Sequence, residues 1–424
     1  MYNYFFYTLL FAILIFLYDF KSSSDVQTNR FSPSDNYKDA IPQQTEISYE
    51  GIYLNSSGLG VFNSITKKDS VIFPGDLFSS EWNLSANKKY LSFTYCTKDS
   101  TSLIFVDLTT FQKRTLKTMK GINIVTQSFG HNDSILFFSF QISKKRNNKY
   151  LTDKSYLFSF TINTQDVKYL SMFDKKYFTT WLPQNYIVIT DENNKYSFMD
   201  GKTLKVIYSH KFSSSVTFSP NGKKCFYYEP VEFINDDFEE ITRNALNVAD
   251  FNGNNNQVAV SASYDPKNVQ WSPDSKKISC DIKSKEWIGI RHLCIYNMEL
   301  RQATYNSNPN DFGMPSITNP IWSPSGNRLI FKRRMERGDE NISYTAVGLI
   351  LRNISDGAEI NILTGNSSSE LDLGGWMGMV LGWFDENNIC LSIPSGTAVY
   401  NVPRKVFTTF SLEKGQIIYL WEAK

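Results

Sequence analysis

The strongest constraint on the fold is a short stretch that recurs along the chain. Its clearest copy runs from Trp322 to Phe331 (WSPSGNRLIF), and close copies begin at Trp271 and Phe218. In each copy an aromatic residue ends an apolar run, Ser-Pro and small polar residues follow, and a cation precedes the next apolar run. Proline fixes φ and donates no hydrogen bond, while Gly or Asn tolerates positive φ, so the stretch predicts a tight turn between two strands.

More degenerate copies extend the series along most of the chain. The seven starts are Trp82, Phe129, Trp181, Phe218, Trp271, Trp322 and Trp383. Successive starts are roughly 37 to 61 residues apart and mostly near 50, which leaves room for four short strands, the length of one propeller blade. We expect the aromatic residue of each copy to pack between neighbouring blades.

The rest of the sequence after about residue 46 favours an all-β fold. Short apolar or alternating runs are separated by Asn, Gly, Lys, Asp and Ser, and aromatic residues make up 15% of the chain, which suits strands. The pattern predicts a β-propeller of four-stranded antiparallel blades. Seven blades are favoured, with eight and then six as alternatives, because surplus strands at both ends could complete a shared blade or form an eighth.

The quoted repeats carry a family resemblance. WSPDSKKIS and WSPSGNRLIF resemble the WSPDG-type repeats of TolB-like and related WD40-like β-propellers, and of the propeller domain of prolyl oligopeptidase relatives. The resemblance implies the propeller fold over residues 46–424. It does not imply a function, because one propeller architecture serves unrelated roles.

The N-terminus has a different character. Residues 4–18 (YFFYTLLFAILIFLY) are apolar apart from Thr8, which predicts a signal peptide or membrane anchor over residues 1–20, the anchor being slightly favoured. A buried first helix or strand is the alternative. Residues 21–45 are polar with two prolines and predict a flexible tether. Together these segments predict an extracytoplasmic protein of the cell envelope, either membrane-anchored or secreted.

Charge and cysteine content exclude some function classes. The formal net charge is only +2, so we expect no nucleic-acid partner. The five cysteines have no Cys-x-x-Cys spacing, which argues against a zinc site and a disulfide framework. We expect buried thiols at Cys225, Cys280 and Cys390, and one disulfide between Cys280 and Cys294 stays open.

No catalytic, cofactor or metal motif stands out. There is no G-x-S-x-G elbow, no P-loop and no dinucleotide fingerprint. His131, His210 and His292 fall in three different repeats, so scattered histidines are a simpler interpretation than a metal site. Asp250 to Asn254 (DFNGN) resembles a calcium loop but lacks its glutamate, and predicts a turn between third and fourth strands instead. Basic clusters at 144–149 and 332–337 predict hairpin tips.

These observations favour a non-catalytic binding or scaffolding propeller, which recognises a protein, peptide or glycan through loops at the mouth of its channel. The alternative is a lyase or glycan-active hydrolase with dispersed His and carboxylate residues in the channel. The candidate binding loop is apolar and glycine-rich, and the inner strand of the last blade is an equally good interpretation of it. Its residues are Gly374, Gly375, Trp376 and Met377. No cofactor is expected.

Overall fold

The computed structural model describes most of the chain after residue 48. The described residues are 49–55, 58–63, 68–74, 82–121, 123–130, 132–146, 149–234, 240–283, 291–305, 316–339, 342–367, 379–393, 396–410 and 416–422. The predicted signal or anchor, the tether and both of their boundaries lie outside these residues. Among the described residues, no helix is long and apolar enough to cross a membrane.

The described part of the chain is almost entirely β-strand. The first sixteen strands are β1 (Tyr49–Asn55), β2 (Gly58–Asn63), β3 (Lys68–Pro74), β4 (Trp82–Leu84), β5 (Tyr90–Cys96), β6 (Ser100–Asp107), β7 (Lys113–Lys120), β8 (Ile124–Phe129), β9 (Ile135–Arg146), β10 (Lys149–Thr161), β11 (Asp166–Asp174), β12 (Lys176–Leu182), β13 (Tyr186–Asp191), β14 (Lys195–Asp200), β15 (Val206–Lys211) and β16 (Val216–Phe218). The other sixteen are β17 (Lys224–Ile234), β18 (Glu240–Asp250), β19 (Gln257–Val260), β20 (Lys267–Trp271), β21 (Lys277–Lys283), β22 (Arg291–Asn297), β23 (Gln302–Tyr305), β24 (Ser316–Trp322), β25 (Arg328–Asp339), β26 (Ile342–Asn353), β27 (Glu359–Ser367), β28 (Met379–Trp383), β29 (Asn388–Ile393), β30 (Gly396–Asn401), β31 (Val406–Phe410) and β32 (Gln416–Glu422). One short 3₁₀ helix, Ala262–Tyr264, joins β19 to β20.

These strands form eight four-stranded antiparallel sheets, which are the blades of a propeller. Blade 1 contains β3, β2, β1 and β32 in that order, and blades 2 to 8 take the strands from β4 to β31 in consecutive fours. Blades 2 to 8 correspond to the seven motif starts. The seven motif-bearing sheets are therefore confirmed, and the surplus strands of the two chain ends make an eighth sheet, which was the first alternative to seven.

The core lies between neighbouring blades, because each sheet presents an apolar face to the next. One cluster joins Phe226 and Leu246 of blade 5 to Ile278 and Cys280 of blade 6. Equivalent clusters join blades 1 and 2, 2 and 3, 3 and 4, 4 and 5, and 6 and 7. The first strands of neighbouring blades contact each other, as β8 contacts β12 and β20 contacts β24, so they lie on the inside of the ring.

The motif aromatics pack between blades, as predicted. The Trp181 ring stacks on the Phe137 ring of blade 3, with 4.1 Å between ring centroids. Trp271 packs on blade 5 and donates its indole N–H to the Thr217 carbonyl at 3.2 Å. These residues are therefore parts of the blade interfaces and not a ligand platform.

Antiparallel strand order gives the ring two different faces. The turns between the first and second strands, and between the third and fourth, lie at one end of each blade, which we call the turn face. The hairpins between the second and third strands, and the connections between blades, lie at the other end, which we call the hairpin face.

Candidate functional site

The turn face is built around a buried serine. In blade 6 the Ser272 hydroxyl donates to Asp274 Oδ1 at 2.6 Å and accepts the Lys277 backbone N–H at 2.8 Å. Ser272 is buried, so its hydroxyl and the Lys277 N–H depend on each other for hydrogen bonding. The serine of the Ser-Pro motif therefore closes the turn, a role that proline and glycine alone do not explain.

The same arrangement recurs in three other blades. Each has a buried serine whose hydroxyl accepts the N–H five residues later, at 2.9 Å for Tyr90, 3.0 Å for Lys224 and 3.2 Å for Arg328. The equivalent serines are Ser85, Ser219 and Ser323. Such uniform chemistry points to a structural role for the turn face.

Neighbouring turns are also tied to one another. The Asn221 N–H donates to Ser275 Oγ at 3.0 Å, and the Ser325 N–H and hydroxyl donate to the Glu386 carboxylate at 2.9 and 2.8 Å. Lys88 of blade 2 donates to the Phe384 carbonyl of blade 8 at 2.6 Å. This last bond links the first and last motif-bearing blades directly.

The hairpin face differs from blade to blade. The second strands of blades 3, 5 and 7 have 12, 11 and 12 residues, whereas those of blades 2, 4, 6 and 8 have 7, 6, 7 and 6. At a rise of about 3.3 Å per residue, these long second strands extend about 15 Å further than the described second strands of the other blades. We call the long hairpins of blades 3, 5 and 7 ribbons.

Between the ribbons of blades 5 and 7 lies a polar cluster, which we call the blade 6 network. Its members are Asp265, Lys267, Asn268, Asp281 and Arg291 of blade 6, with Asn319 of blade 7. Asp281 is fully buried on β21 and forms its centre. Such a buried carboxylate requires compensation by charge or hydrogen bonds.

Asp281 receives that compensation from three directions. Its Oδ1 accepts from Arg291 Nε at 2.5 Å, and its Oδ2 accepts from Asn268 Nδ2 at 2.6 Å and from the Asn319 N–H at 3.5 Å. Each carboxylate oxygen is therefore occupied, which assigns Asp281 a positioning role. It joins the inner strands of blades 6 and 7 and fixes the Arg291 side chain.

The backbone conformation of the inner strands makes these hydrogen bonds possible. Asn268 and Asn319 have φ angles of 50° and 53°, and each lies where its strand shifts register against the next strand. Asparagine is one of the few side chains that tolerate positive φ. Both lie three residues before the motif tryptophan, so the two blades share the same local backbone conformation.

The network becomes more exposed toward the hairpin face. The side-chain exposure is 0% for Asp281, 15% for Arg291, 21% for Asp265 and 57% for Lys267. Arg291 also donates to the Asp265 carbonyl at 2.7 Å, and Lys267 lies 3.4 Å from the Asp265 carboxylate. The outer groups can bind a polar or charged ligand, while the inner carboxylate holds them in place.

The flanking ribbons contact this region or contain their own charges. Arg243 on the blade 5 ribbon donates to the Ser263 carbonyl in the 3₁₀ helix at 3.2 Å. Arg333 on the blade 7 ribbon forms two hydrogen bonds to Glu359, at 2.9 and 2.7 Å.

The two basic clusters predicted as hairpin tips have different outcomes. The cluster at 144–149 spans the end of β9 and the start of β10, as predicted. The prediction for 332–337 was wrong: these residues lie within β25, paired with β26, and the hairpin closes only at Asp339 and Ile342. The apolar run continues into a ribbon longer than the pattern indicated.

The remaining candidates are distributed as follows. The loop with Gly374, Gly375, Trp376 and Met377 lies outside the described residues, as does His131, so that loop stays a prediction. His210 lies on the outer strand of blade 4 and His292 is buried on the third strand of blade 6. No group of three His, Cys, Asp or Glu side chains in the described ranges could hold a metal ion.

The cysteines are buried thiols where this was predicted. Cys225, Cys280 and Cys390 are all buried, and burial raises the pKa of the Cys225 and Cys390 thiols to about 12. Cys280 and Cys294 are direct register partners on β21 and β22, and both are free. A hydrogen bond with Cys294, together with burial, raises the pKa of the Cys280 thiol.

The sequence DFNGN forms the turn between the third and fourth strands of blade 5, as predicted. The Asp250 N–H donates to the Asn254 carbonyl at 2.8 Å. The Asp250 carboxylate accepts from Lys224 Nζ at 2.7 Å and from Asn255 Nδ2 at 2.5 Å. Burial raises the pKa of Asp250, but these hydrogen bonds outweigh it and leave the pKa below its ordinary value.

Sequence reasoning missed the blade 6 network. One available signal was Asp281, a charged residue inside the apolar run Ile278 to Ile282. Another was the spacing Asn-x-x-Trp-Ser-Pro, which occurs at Asn268 and again at Asn319. Nothing in the linear sequence indicates that Arg291 and Asn319 converge on the same carboxylate.

Comparisons with known proteins give distant structural similarities. No protein-family model and no curated protein matches the chain. TolB from Acinetobacter baumannii is 12% identical with a TM-score of 0.34, over 78% of this chain and 65% of TolB. The β-propeller domain of the Trilobed protease from Pyrococcus furiosus is 10% identical with a TM-score of 0.46, over 76% and 94%. An oligogalacturonate lyase in complex with manganese is 11% identical with a TM-score of 0.43, over 78% and 85%.

This chain spans 65% of the length of the Acinetobacter TolB. At such identities and TM-scores these similarities support no conclusion about function.

Proposed function

We propose that the protein is a non-catalytic binding or scaffolding propeller, which recognises a protein, peptide or glycan partner on its hairpin face. The observation that carries the proposal is the concentration of blade-specific structure on this face. Three ribbons have longer described second strands than the other blades, and the blade 6 network lies between two of them. Recognition commonly uses variable loops and hairpins on a rigid scaffold.

The chemistry of the blade 6 network supports binding. Its central carboxylate is occupied by three hydrogen-bond donors, so it fixes the geometry of the outer charges. Lys267 is largely exposed and Arg291 is partly exposed, both beside Asp265. Charges held in fixed positions lose less conformational entropy when a partner binds.

A site-specific cross-linking experiment tests the proposal. Lys267 and Lys276 are a matched pair, because both are exposed lysines of blade 6, at 57% and 60%, on opposite faces. A photo-cross-linking amino acid placed at position 267 should give a discrete adduct in the source cells. The same amino acid at position 276 should not.

The result can also contradict the proposal. Equal adducts from both positions, or adducts from 276 alone, would place the contact elsewhere. Lys267→Glu then serves as a second measurement, because it should lower the yield of an adduct formed from the neighbouring, partly exposed position 265, without changing the melting temperature.

The proposed location is the cell envelope, and it rests on the apolar run at residues 4–18. Fractionation of cells that express the full chain checks this. No observation on the described residues favours the alternative function, a lyase or glycan-active hydrolase.

A further inference from the structure

A second surface lies on the rim of the propeller, away from the hairpin face. The outer strand of blade 2, β7, has the sequence KRTLKTMK, with four cations and no acid in eight residues. Lys113, Arg114, Thr115, Thr118 and Lys120 are exposed, and Leu116 is buried beneath them. The strand therefore presents a row of positive charges to solvent.

Protection of the sheet edge does not explain these charges. Lysines and bulges are two known ways to prevent edge-to-edge association. Here a register shift interrupts the outer strand in six blades, in β3, β7, β11, β15, β19 and β27. The two outer strands without one, β23 and β31, are only four and five residues long. The nine-residue β27 has the bulge and a single charged residue, Glu359, so β7 needs no cations for this purpose.

Two cations of β7, Arg114 and Lys117, are held in position without being neutralised. The Arg114 guanidinium lies 5.7 Å from the Phe160 ring centroid, and Lys117 Nζ lies 5.5 Å from that of Phe158, both on blade 3. Arg114 also donates to Gln165 Oε1 at 3.0 Å. Arg114, Lys117 and Lys120 form no ion pair with any described residue. Placement over aromatic faces orients a cation but leaves its charge available to an anion.

The neighbouring outer strand adds apolar and aromatic surface. On β11, Tyr169 is 52% exposed and its ring meets the Phe158 ring edge-on, with 5.6 Å between centroids. Met172 on the same strand is 40% exposed. We call the surface formed by Arg114, Lys117 and Tyr169 the rim strip, because Arg114 and Lys117 lie on the face of β7 that is turned toward blade 3. Thr115, Thr118 and Lys120 lie on the opposite face of blade 2. The strip combines two cations held over aromatic rings with one exposed ring.

This combination selects among anionic partners. The register shift between Leu103 and Ile104 interrupts the ladder of β6 and β7, so β7 is a poor template for an added peptide strand. The net charge of +2 and pI of about 8.0 are unlike the strongly basic footprint of nucleic-acid-binding domains. A single strand of cations is narrow for a membrane surface. Two cations held over aromatic rings, beside a third ring that is exposed, suit a chain of acidic sugar rings.

We propose that the rim strip binds an acidic polysaccharide, whose carboxylates meet Arg114 and Lys117 and whose ring face rests on Tyr169. This site is separate from the hairpin face. It can therefore exist whether or not the proposed function of that face is correct.

Titration of the full-length protein with alginate, a polyuronate, tests the proposal against a neutral dextran of similar length. The variant Arg114→Gln with Lys117→Gln removes two charges and retains side-chain length. We expect alginate, but not dextran, to bind, and the double variant to weaken binding by at least about tenfold at low salt. The slope of log K against log salt should also become shallower.

Matched controls keep the result interpretable. Lys205→Gln with Lys211→Gln removes two exposed cations at the outer strand of blade 4, and should change the affinity by less than about twofold. Tyr169→Ala should weaken alginate binding while the salt slope stays the same. Far-UV spectra and melting temperatures establish that each variant is folded.

Three outcomes would overturn the proposal. One is alginate binding no tighter than dextran, and another is an equal loss in the blade 4 control. The third is tighter binding of a single-stranded oligodeoxynucleotide than of alginate, which would make the partner a nucleic acid.

Discussion

The two faces of the propeller use the same eight-blade frame in opposite ways. On the turn face, four blades repeat one arrangement, in which a buried serine accepts the N–H five residues later. On the hairpin face, the second strands vary from 6 to 12 residues and the blade 6 network occurs once among the described residues. Repetition therefore marks what holds the blades together, and variation marks where this protein differs from a generic propeller.

The comparison also separates two kinds of buried polar group. Ser272 and its equivalents satisfy backbone groups within a single turn. Asp281 joins segments that are distant in sequence, because its hydrogen-bond donor Asn319 is 38 residues away. Loss of the first kind should affect one turn, and loss of the second should affect two blades.

The largest expected effect is at Asp281. Replacing it by leucine removes the nearer carboxylate from Arg291, which is only 15% exposed, and leaves only that of Asp265 at 3.9 Å. The substitution should lower the free energy of unfolding by about 3 kcal/mol. Urea unfolding measures this. The double variant Asp281→Leu with Arg291→Met should recover part of the loss, because no unpaired charge remains. A double variant less stable than Asp281→Leu would contradict the assigned role.

Removal of a turn-face serine should have the next largest effect. Ser272→Ala leaves the Lys277 N–H and the Asp274 carboxylate without the hydroxyl between them, at an expected cost of about 1 to 3 kcal/mol. Ser323→Ala should behave similarly if the turns are equivalent. The exposed Ser355→Ala is the control, with an expected change within about 0.5 kcal/mol. Similar losses of stability in all three variants would show that the turn-face serines contribute no more than an exposed serine.

A smaller and pH-dependent effect is expected at Asp250. Its pKa lies below the ordinary 3.8, so its ionised form stabilises the fold above that value, and this stabilisation is lost as the pH falls through the lowered pKa. Because the Lys224–Asp250 pair is 39% and 28% exposed, the contribution should be no more than about 1 kcal/mol.

The measurement is the free energy of unfolding of wild type and Asp250→Asn across acid pH. The two proteins should differ at neutral pH and converge as the pH falls well below 3.8. A difference that grows on acidification would mean that the pKa is raised instead.

The smallest effect on stability should come from Lys267 on the hairpin face. Its side chain is 57% exposed, so Lys267→Ala should change the free energy of unfolding by no more than about 0.5 kcal/mol and should hardly change the melting temperature. The same substitution should reduce partner binding if the hairpin face is the recognition surface. A strongly destabilised Lys267→Ala would move Lys267 into the structural part of the network.

Local chemistry explains what could be predicted from the sequence. The Ser-Pro turns, the all-β class, the seven motif-bearing sheets and the inter-blade position of Trp271 all follow from patterns within about ten residues. The turn at Asp250 to Asn254 is of the same kind. In contrast, the prediction for 332–337 failed because strand length depends on support from neighbouring strands, here β24 and β27, which a linear pattern does not show.

The eighth blade shows the boundary between the two sources of information. The sequence by itself determined that strands are left over at both ends, but only the tertiary structure decided that β32 pairs with β1 and completes a separate sheet. The blade 6 network and the rim strip were likewise decided in three dimensions. Asp281 contacts Asn319, and Arg114 contacts Phe160, because neighbouring blades pack against each other through their apolar faces. No local sequence pattern indicates these contacts.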